Sequence, residues 1–186
     1  MSGEGAAAAG AARHGDTPGT VRVPVWVVAE RRPGVTRWAA HAWRAAAVLE
    51  DAPDAPPWTL LREEENGRAL FLAGRFEVAL HPTDAENLKH NLDSADPRVW
   101  VVLRDAPGAP EPALLLHLVT ADGGEAHLYA DVGNDLLESL PMPPGLRALA
   151  AEFVAQHHRE RVFHKRRRDR ADPEAMAPRR PEPGDE

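Results

Sequence analysis

The residues best suited to binding chemistry form a basic run near the C-terminus. Residues 159–170 contain seven cations and two acids, a net charge of +5; the cations are Arg159, Arg161, Lys165, Arg166, Arg167, Arg168 and Arg170. The whole chain carries −7 and residues 171–186 carry −3, so residues 1–158 carry −9. The basic run is therefore an island between two acidic regions.

Three interpretations of this basic run stay open. Its cations can lie in solvent at the end of a helix, where they interact favourably with the helix dipole by about 0.3–1 kcal/mol each. They can dock on an acidic protein surface, or they can neutralise nucleic-acid phosphates. A body that carries −9 repels a phosphate backbone from most directions of approach. We therefore expect an acidic protein partner in preference to RNA or DNA.

Three histidines, His157, His158 and His164, lie close to the basic run, but their spacing does not favour a metal site. Two ligands on one helix need to be three or four residues apart. His157 and His164 are two turns apart, on the order of 10 Å, and Glu160 with His164 gives a single correctly spaced pair. The chain also has no cysteine, which excludes thiolate zinc sites, iron–sulfur clusters, disulfides and a cysteine nucleophile.

Nucleophilic catalysis has no support in the sequence. The serines, Ser2, Ser94 and Ser139, all stand outside a G-x-S-x-G motif. The glycine-containing segments LAGRFE and ADGGEAH lack the spacing and the Lys-Ser/Thr pair of a phosphate-binding loop. We expect a non-enzymatic protein that needs no cofactor.

Two of the tryptophans are candidates for partner contact. Trp38 and Trp43 are five residues apart, which fits neither one face of a helix nor one face of a strand. An exposed Trp38/Trp43 patch would anchor a partner, as aromatic residues do at interface hot spots. Alternatively, the tryptophans cap the core of an alanine-rich domain.

The segments around these residues predict an α+β domain. Valine-rich or alternating apolar segments predict strands over 23–32, 43–50, 58–65, 68–80, 99–105 and 113–121. Asn66-Gly67 indicates a turn, and Gly74 indicates a hairpin or a bulge. Helical patterns span 82–94, 125–140 and 146–157, the last with one buried face formed by Leu146, Leu149, Ala150, Phe153, Val154 and His157. We expect a single domain with an antiparallel or mixed sheet of five to seven strands and two or three helices on one face.

The predicted domain is flanked by two segments of low complexity. We assign residues 1–20 to a disordered leader, 21–170 to the domain, which ends in the basic helix, and 171–186 to a disordered, acidic, proline-rich tail. The leader lacks the basic start and the strongly apolar stretch of a secretion signal. No segment approaches the roughly 20 apolar residues of a membrane span. We expect a soluble, cytoplasmic protein.

A series of short motifs, in a fixed order, adds a resemblance to these inferences. The motifs are AERR, RWAAHAW, PPW, FLAG, ENLKHNLDS, WVVLR, VTA, LYADVG, PMP, FVAQHH and FHKRRRDR. Their order over about residues 22–170 resembles an uncharacterised proteobacterial family, domain of unknown function 3305. Members of that family tend to be encoded beside genes for formate dehydrogenase and molybdoenzyme assembly. No catalytic residues are established for the family, so none is carried over.

The resemblance implies an accessory role in the assembly or maturation of a molybdenum-dependent formate dehydrogenase. The partner would then be a subunit of that enzyme or its maturation factor. One alternative is an RNA- or DNA-binding regulator that uses the basic run. The other is a chaperone for a molybdopterin or nucleotide ligand, whose phosphate would need arginine; Arg75, Arg98 and Arg104 are the candidates.

Overall fold

A computed structural model describes residues 17–34, 41–131, 133 and 135–158, which form seven strands and three α-helices. The strands are β1 (Val21–Pro33), β2 (His41–Leu49), β3 (Thr59–Glu63), β4 (Ala69–Leu80), β5 (Arg98–Asp105), β6 (Leu114–Thr120) and β7 (Asp135–Pro141). The helices are α1 (Ala85–Leu92), which follows a 3₁₀ turn at Pro82–Asp84, α2 (Gly123–His127) and α3 (Pro144–His157). The described structure begins within the predicted leader, where the Thr20 amide donates to the Thr17 carbonyl at 3.0 Å.

The strands form two antiparallel sheets, with the orders β2-β1-β4-β3 and β6-β5-β7. This arrangement confirms the predicted α+β class, since the described part of the chain has seven antiparallel strands, within the expected five to seven, and three helices. The strands are divided between two sheets, whereas one sheet was expected. β4 contacts β6 and β2 contacts β7, so the sheets pack on each other. Two packed sheets bury their inner faces together, which a single open sheet of seven strands would leave exposed.

The long strand β1 organises the four-stranded sheet. Val23, Val25 and Val27 alternate on its buried face, as expected for a strand with one face in the core. The register of β1 against β4 shifts between Val27 and Val28, next to Gly74, whose φ is 147°. Glycine adopts this φ without strain. The segment around Gly74 is therefore one bulged strand and not a hairpin.

The core joins both sheets to helices α1 and α3. Val25, Val101 and Leu103 are fully buried within it, and Leu88 of α1 and Phe153 of α3 are nearly so. Burying each such side chain stabilises the fold by roughly 1.5–3 kcal/mol. The core therefore fixes the positions of the loops and helix ends that carry polar side chains.

The prediction of a helix over 125–140 is wrong. α2 ends at His127, and residues 135–141 form strand β7, which pairs with β5 from Arg104↔Asp135 to Arg98↔Pro141. Tertiary pairing overrides local helix propensity here. Without β7, β5 would have an unpaired edge, and the buried Asp135 carboxylate would lose the Arg104 guanidinium, which donates to it twice at 2.6 Å.

The buried face predicted for the last helix is mostly confirmed in α3, but α3 ends before the first residue of the basic run. Leu146, Ala150, Phe153 and Val154 are buried, whereas Leu149 is 46 % exposed. The helix ends at His157, because the next residue has an extended backbone with ψ of 121°. Residues 159–170, expected to continue as a basic helix, lie outside the described residues.

Candidate functional site

The seven predicted docking cations and Trp38 all lie outside the described residues. The structure does fix the point from which the basic run departs. The His157 ring packs on Phe153 with centroids 4.4 Å apart. A Cβ built on Gly19 would lie 3.5 Å from His157 Cε1 and 3.3 Å from Pro82 Cγ. The chain thus leaves α3 beside the turn that precedes α1.

Trp43, the other predicted contact residue, is half-buried at the edge of the core. Its ring meets Trp58 edge-on at 5.8 Å and Phe71 at 5.1 Å between centroids. The Arg31 guanidinium lies 5.5 Å from the Phe71 ring. This aromatic cluster gives Trp43 a packing role within the chain, and the remaining exposed part of its side chain is available for contact.

A cleft of about 400 Å³ lies where α1, β5 and α2 meet. One face of α1 and the following turn contribute polar side chains, β5 contributes an indole ring, and the start of α2 contributes two glycines. The lining residues are Asn87, His90, Asn91, Ser94, Asp96, Arg98, Trp100, Gly123 and Gly124. We call this the Trp100 cleft.

A buried asparagine ties the three walls of the Trp100 cleft together. Asn91, 7 % exposed, donates through Nδ2 to the carbonyls of Arg98 at 2.7 Å and Ala121 at 2.8 Å. Its Oδ1 accepts from the Arg98 amide at 2.9 Å. Asp122 joins α2 to α1, since its carboxylate accepts from the Gly124 amide at 2.7 Å and from Asn87 Nδ2 at 3.2 Å. The cleft is therefore built on hydrogen-bonded elements and is preformed.

The two glycines at the start of α2 make room for two side chains that line the cleft, the Trp100 indole and the Asn87 amide. A Cβ on Gly123 would lie 3.2 Å from Trp100 Cη2, and a Cβ on Gly124 would lie 3.0 Å from Asn87 Nδ2. Any larger residue at these positions would force the Trp100 indole or the Asn87 amide to shift. An indole surrounded by amide, hydroxyl and guanidinium groups can stack on a planar polar molecule and hydrogen-bond its edge.

A second polar cluster lies on the outer face of the four-stranded sheet. The Glu30 carboxylate, 2 % exposed, accepts hydrogen bonds from Arg32 Nε at 2.8 Å and Arg44 Nε at 2.5 Å through one oxygen. Its other oxygen accepts from Nε and Nη2 of Arg68. Burial raises the pKa of Glu30, but the hydrogen bonds of Arg68, Arg44 and Arg32 outweigh burial and lower the pKa to about 2. We call these four residues the Glu30 cluster.

Cross-strand register explains why these four residues meet. Glu30 stands directly opposite Arg44 in the β1–β2 ladder, and Arg32 is two residues along the same face. Arg31 pairs with Ala69 in the β1–β4 ladder, so Arg68 stands at the level of Arg32. Sequence reasoning missed the cluster because its members come from two strands and from the turn that precedes β4. The AERR motif, with a glutamate inside a valine-rich strand, was the available signal.

The arginines expected to hold a phosphate are each paired with a neighbouring carboxylate. Arg75 lies 3.4 Å from Glu77, and Arg98 lies 2.6 Å from Asp96. The hydrogen bonds between Arg104 and Asp135 raise the pKa of the arginine and lower the pKa of the carboxylate. Of these three arginines, Arg98 lines the Trp100 cleft.

The described residues contain no group of three or more metal-ligating side chains that would hold an ion. No helix within the described ranges is long and apolar enough to cross a membrane.

A family model described as a protein of unknown function (DUF3305) matches residues 24–167. The match covers most of the chain, and the protein belongs to this family. No curated protein and no solved structure matches the chain.

Proposed function

Starting from membership of this family, we propose that the protein is a non-enzymatic accessory protein that docks on an acidic surface of a partner through the basic run. The partner we propose is a subunit of a molybdenum-dependent formate dehydrogenase or a factor that matures it, acting in the cytoplasm. The choice of partner rests on the gene neighbourhood that the family resemblance implies.

The separation of charge along the chain carries this proposal. Residues 1–158 carry −9 and residues 159–170 carry +5. α3 is anchored by Phe153 in the core and ends at His157, two residues before the run begins at Arg159. A dense cluster of cations at the end of a fixed helix can steer association with an acidic surface and raise the rate of encounter. Exposed ion pairs add little to folding stability, so folding alone gives weak reason to concentrate cations there.

Charge reversal tests the docking role. We expect K165E/R166E/R167E/R168E to abolish co-purification with formate dehydrogenase subunits at about 0.15 M salt, because the run would change from attraction to repulsion. The matched control reverses four cations of the body, R62E/R75E/K89E/R147E, which changes the net charge equally. Three of them are exposed, and the Lys89 side chain is 43 % exposed. Binding by the control and not by the first variant supports docking through the run. Undiminished binding by the first variant would refute it.

The Trp100 cleft favours a second candidate function, a chaperone for a pterin or nucleoside ligand. The observation behind it is the preformed indole floor between polar side chains, with glycine at the two positions where a Cβ would intrude. Planar heteroaromatic ligands stack on such a ring and satisfy their edge groups with amides and hydroxyls.

Thermal stabilisation by phosphate-free probes tests this second function. We expect neopterin, guanosine or adenosine to raise the thermal midpoint of the wild-type protein in a saturable way. G123A should lose the effect, because the added Cβ meets the Trp100 ring at 3.2 Å. G133A is the matched control, since a Cβ there meets nothing within 4 Å. If none of the probes stabilises the protein at millimolar concentration, the chaperone function for these ligands is wrong.

A further inference from the structure

The Glu30 cluster has an unusual ratio of cations to anions. Five other ion pairs of the described residues each join one arginine to one carboxylate: Arg31–Glu63, Arg62–Glu64, Arg75–Glu77, Arg98–Asp96 and Arg104–Asp135. At Glu30, three arginines share one carboxylate. A charge of +2 is left over in a body that carries −9. Neutralising the buried carboxylate does not require this excess.

The surplus charge is accessible from solvent. Glu30 is covered by its partners, but the side chains of Arg32, Arg44 and Arg68 are 44 %, 40 % and 45 % exposed. A guanidinium has five N–H groups, and each of these arginines uses one or two of them on Glu30. Each therefore retains at least three donors that can face a ligand.

An open cleft of about 400 Å³ lies against two of these arginines. Its lining consists of Arg32, Pro33, Asn66 and Arg68. The turn that carries Asn66 is held in place, because the Asn66 side chain accepts from the Arg68 amide at 2.9 Å. Gly67 has a φ of 81°, and a Cβ there would lie 3.3 Å from Pro33 Cγ. The cleft is thus shaped by a turn that requires glycine.

We propose that the Glu30 cluster is a binding site for the phosphate group of a small molecule, with Arg32 and Arg68 as the contacting residues and Arg44 as a source of additional charge. Guanidinium forks match phosphate oxygens in bidentate geometry. A phosphomonoester carries a charge of about −1.5 to −2 at neutral pH. This charge offsets the +2 that remains on the three arginines after Glu30 has neutralised one of them. Glu30 orders the three guanidinium groups in advance, so less side-chain entropy is lost when a ligand binds. The site includes no residue of the basic run or of the Trp100 cleft, and it does not depend on the proposed function.

Neighbouring carboxylates leave the region positive. Glu63 and Glu64 are paired with Arg31 and Arg62. Glu65 is exposed in the same turn as Asn66. Together with the Glu30 cluster, the region contains five arginines and four glutamates, a net charge of +1. The arginines are Arg31, Arg32, Arg44, Arg62 and Arg68, and the glutamates are Glu30, Glu63, Glu64 and Glu65. The region therefore attracts anions even though the body as a whole is acidic.

Titration of the full chain with inorganic phosphate and with glycerol 3-phosphate, at constant ionic strength set by sodium chloride, tests the site. We expect saturable stabilisation, with the thermal midpoint raised by about 5–10 °C at one hundred times the dissociation constant. Saturation by both probes assigns a phosphate ester, and saturation by inorganic phosphate alone assigns the free anion; either result supports the site. If neither probe stabilises the protein in a saturable way, the proposed site is wrong.

Three variants separate a binding site from a purely structural network. R32Q and R68Q should each weaken binding by about tenfold or more, since each removes charge-assisted hydrogen bonds to the ligand. R75Q, which removes an exposed arginine of the same sheet, should bind like the wild type. E30Q keeps all three arginines and removes the competing charge of the carboxylate. We expect this gain to exceed the loss of ordering, so E30Q should bind phosphate more tightly even if it is less stable without ligand. Equal affinity of R32Q, R68Q and R75Q would show that the cluster is structural only.

Discussion

At the scale of single residues, the ionisation of Glu30 makes folding stability depend on pH. Its pKa is lowered from an ordinary 4.5 to about 2 in the folded protein, which corresponds to roughly 3 kcal/mol of stability. A depressed carboxyl pKa contributes stability that is present above the unfolded pKa and lost as the pH falls through the folded one. We expect the free energy of unfolding of the wild type to decline between about pH 4.5 and 2.

E30Q should lack this part of the decline in urea titrations at pH 7, 4 and 3. D135N is the control that removes a different carboxylate with a lowered pKa, and equal pH slopes for E30Q and the wild type would contradict the prediction.

A second residue-scale prediction concerns Asn91, the side chain that joins the walls of the Trp100 cleft. N91A removes three hydrogen bonds to the backbone of Arg98 and Ala121. Because these backbone groups would lose the Asn91 side chain as a partner, Ala121 in a buried position and Arg98 in a partly buried one, we expect a loss of about 2–4 kcal/mol in denaturant unfolding. Q156A, an exposed change on α3, should stay within about 0.5 kcal/mol of the wild type. An equally small loss in N91A would mean that the cleft walls are held together by other contacts.

At the scale of elements, the register of α3 gives a matched pair of substitutions. Ala150 is fully buried against the core, and the adjacent Ala151 is exposed. A150L should destabilise the protein by about 1–3 kcal/mol through overpacking, whereas A151L should change stability by less than about 0.5 kcal/mol. The comparison is made by thermal and urea unfolding. Equal effects would place a different face of α3 on the sheets.

Elements with strong local signals are predictable from this sequence, and elements defined by pairing are not. The valine alternation of β1 and the apolar spacing of α3 are local, so their positions agree with the structure. β7 could not be predicted, because the pairing of its Asp135–Pro141 backbone with β5 decides its conformation. The Glu30 cluster and the Trp100 cleft were missed for the same reason. Their residues are far apart in the sequence, and only the strand registers and the placement of α2 bring them together.

At the scale of the whole molecule, the relation between the acidic body and the basic run gives the last prediction. Residues 1–158 carry −9, so the run has two possible uses: to lie on this chain's own acids or to remain available to a partner. After His157 the large apolar residues of the run are Val162 and Phe163, enough for about one further turn of contact on the body. We therefore expect Arg166, Arg167 and Arg168 to make no stabilising ion pairs with the body.

R166E/R167E/R168E should change the free energy of unfolding by less than about 0.5 kcal/mol, as for other exposed charges. This should hold even at low salt, where ion pairs are screened least. A loss of more than about 1 kcal/mol at low salt, abolished at high salt, would mean that the run is held on the chain's own acids. The cations would then be structural, and docking on a partner would first require their release.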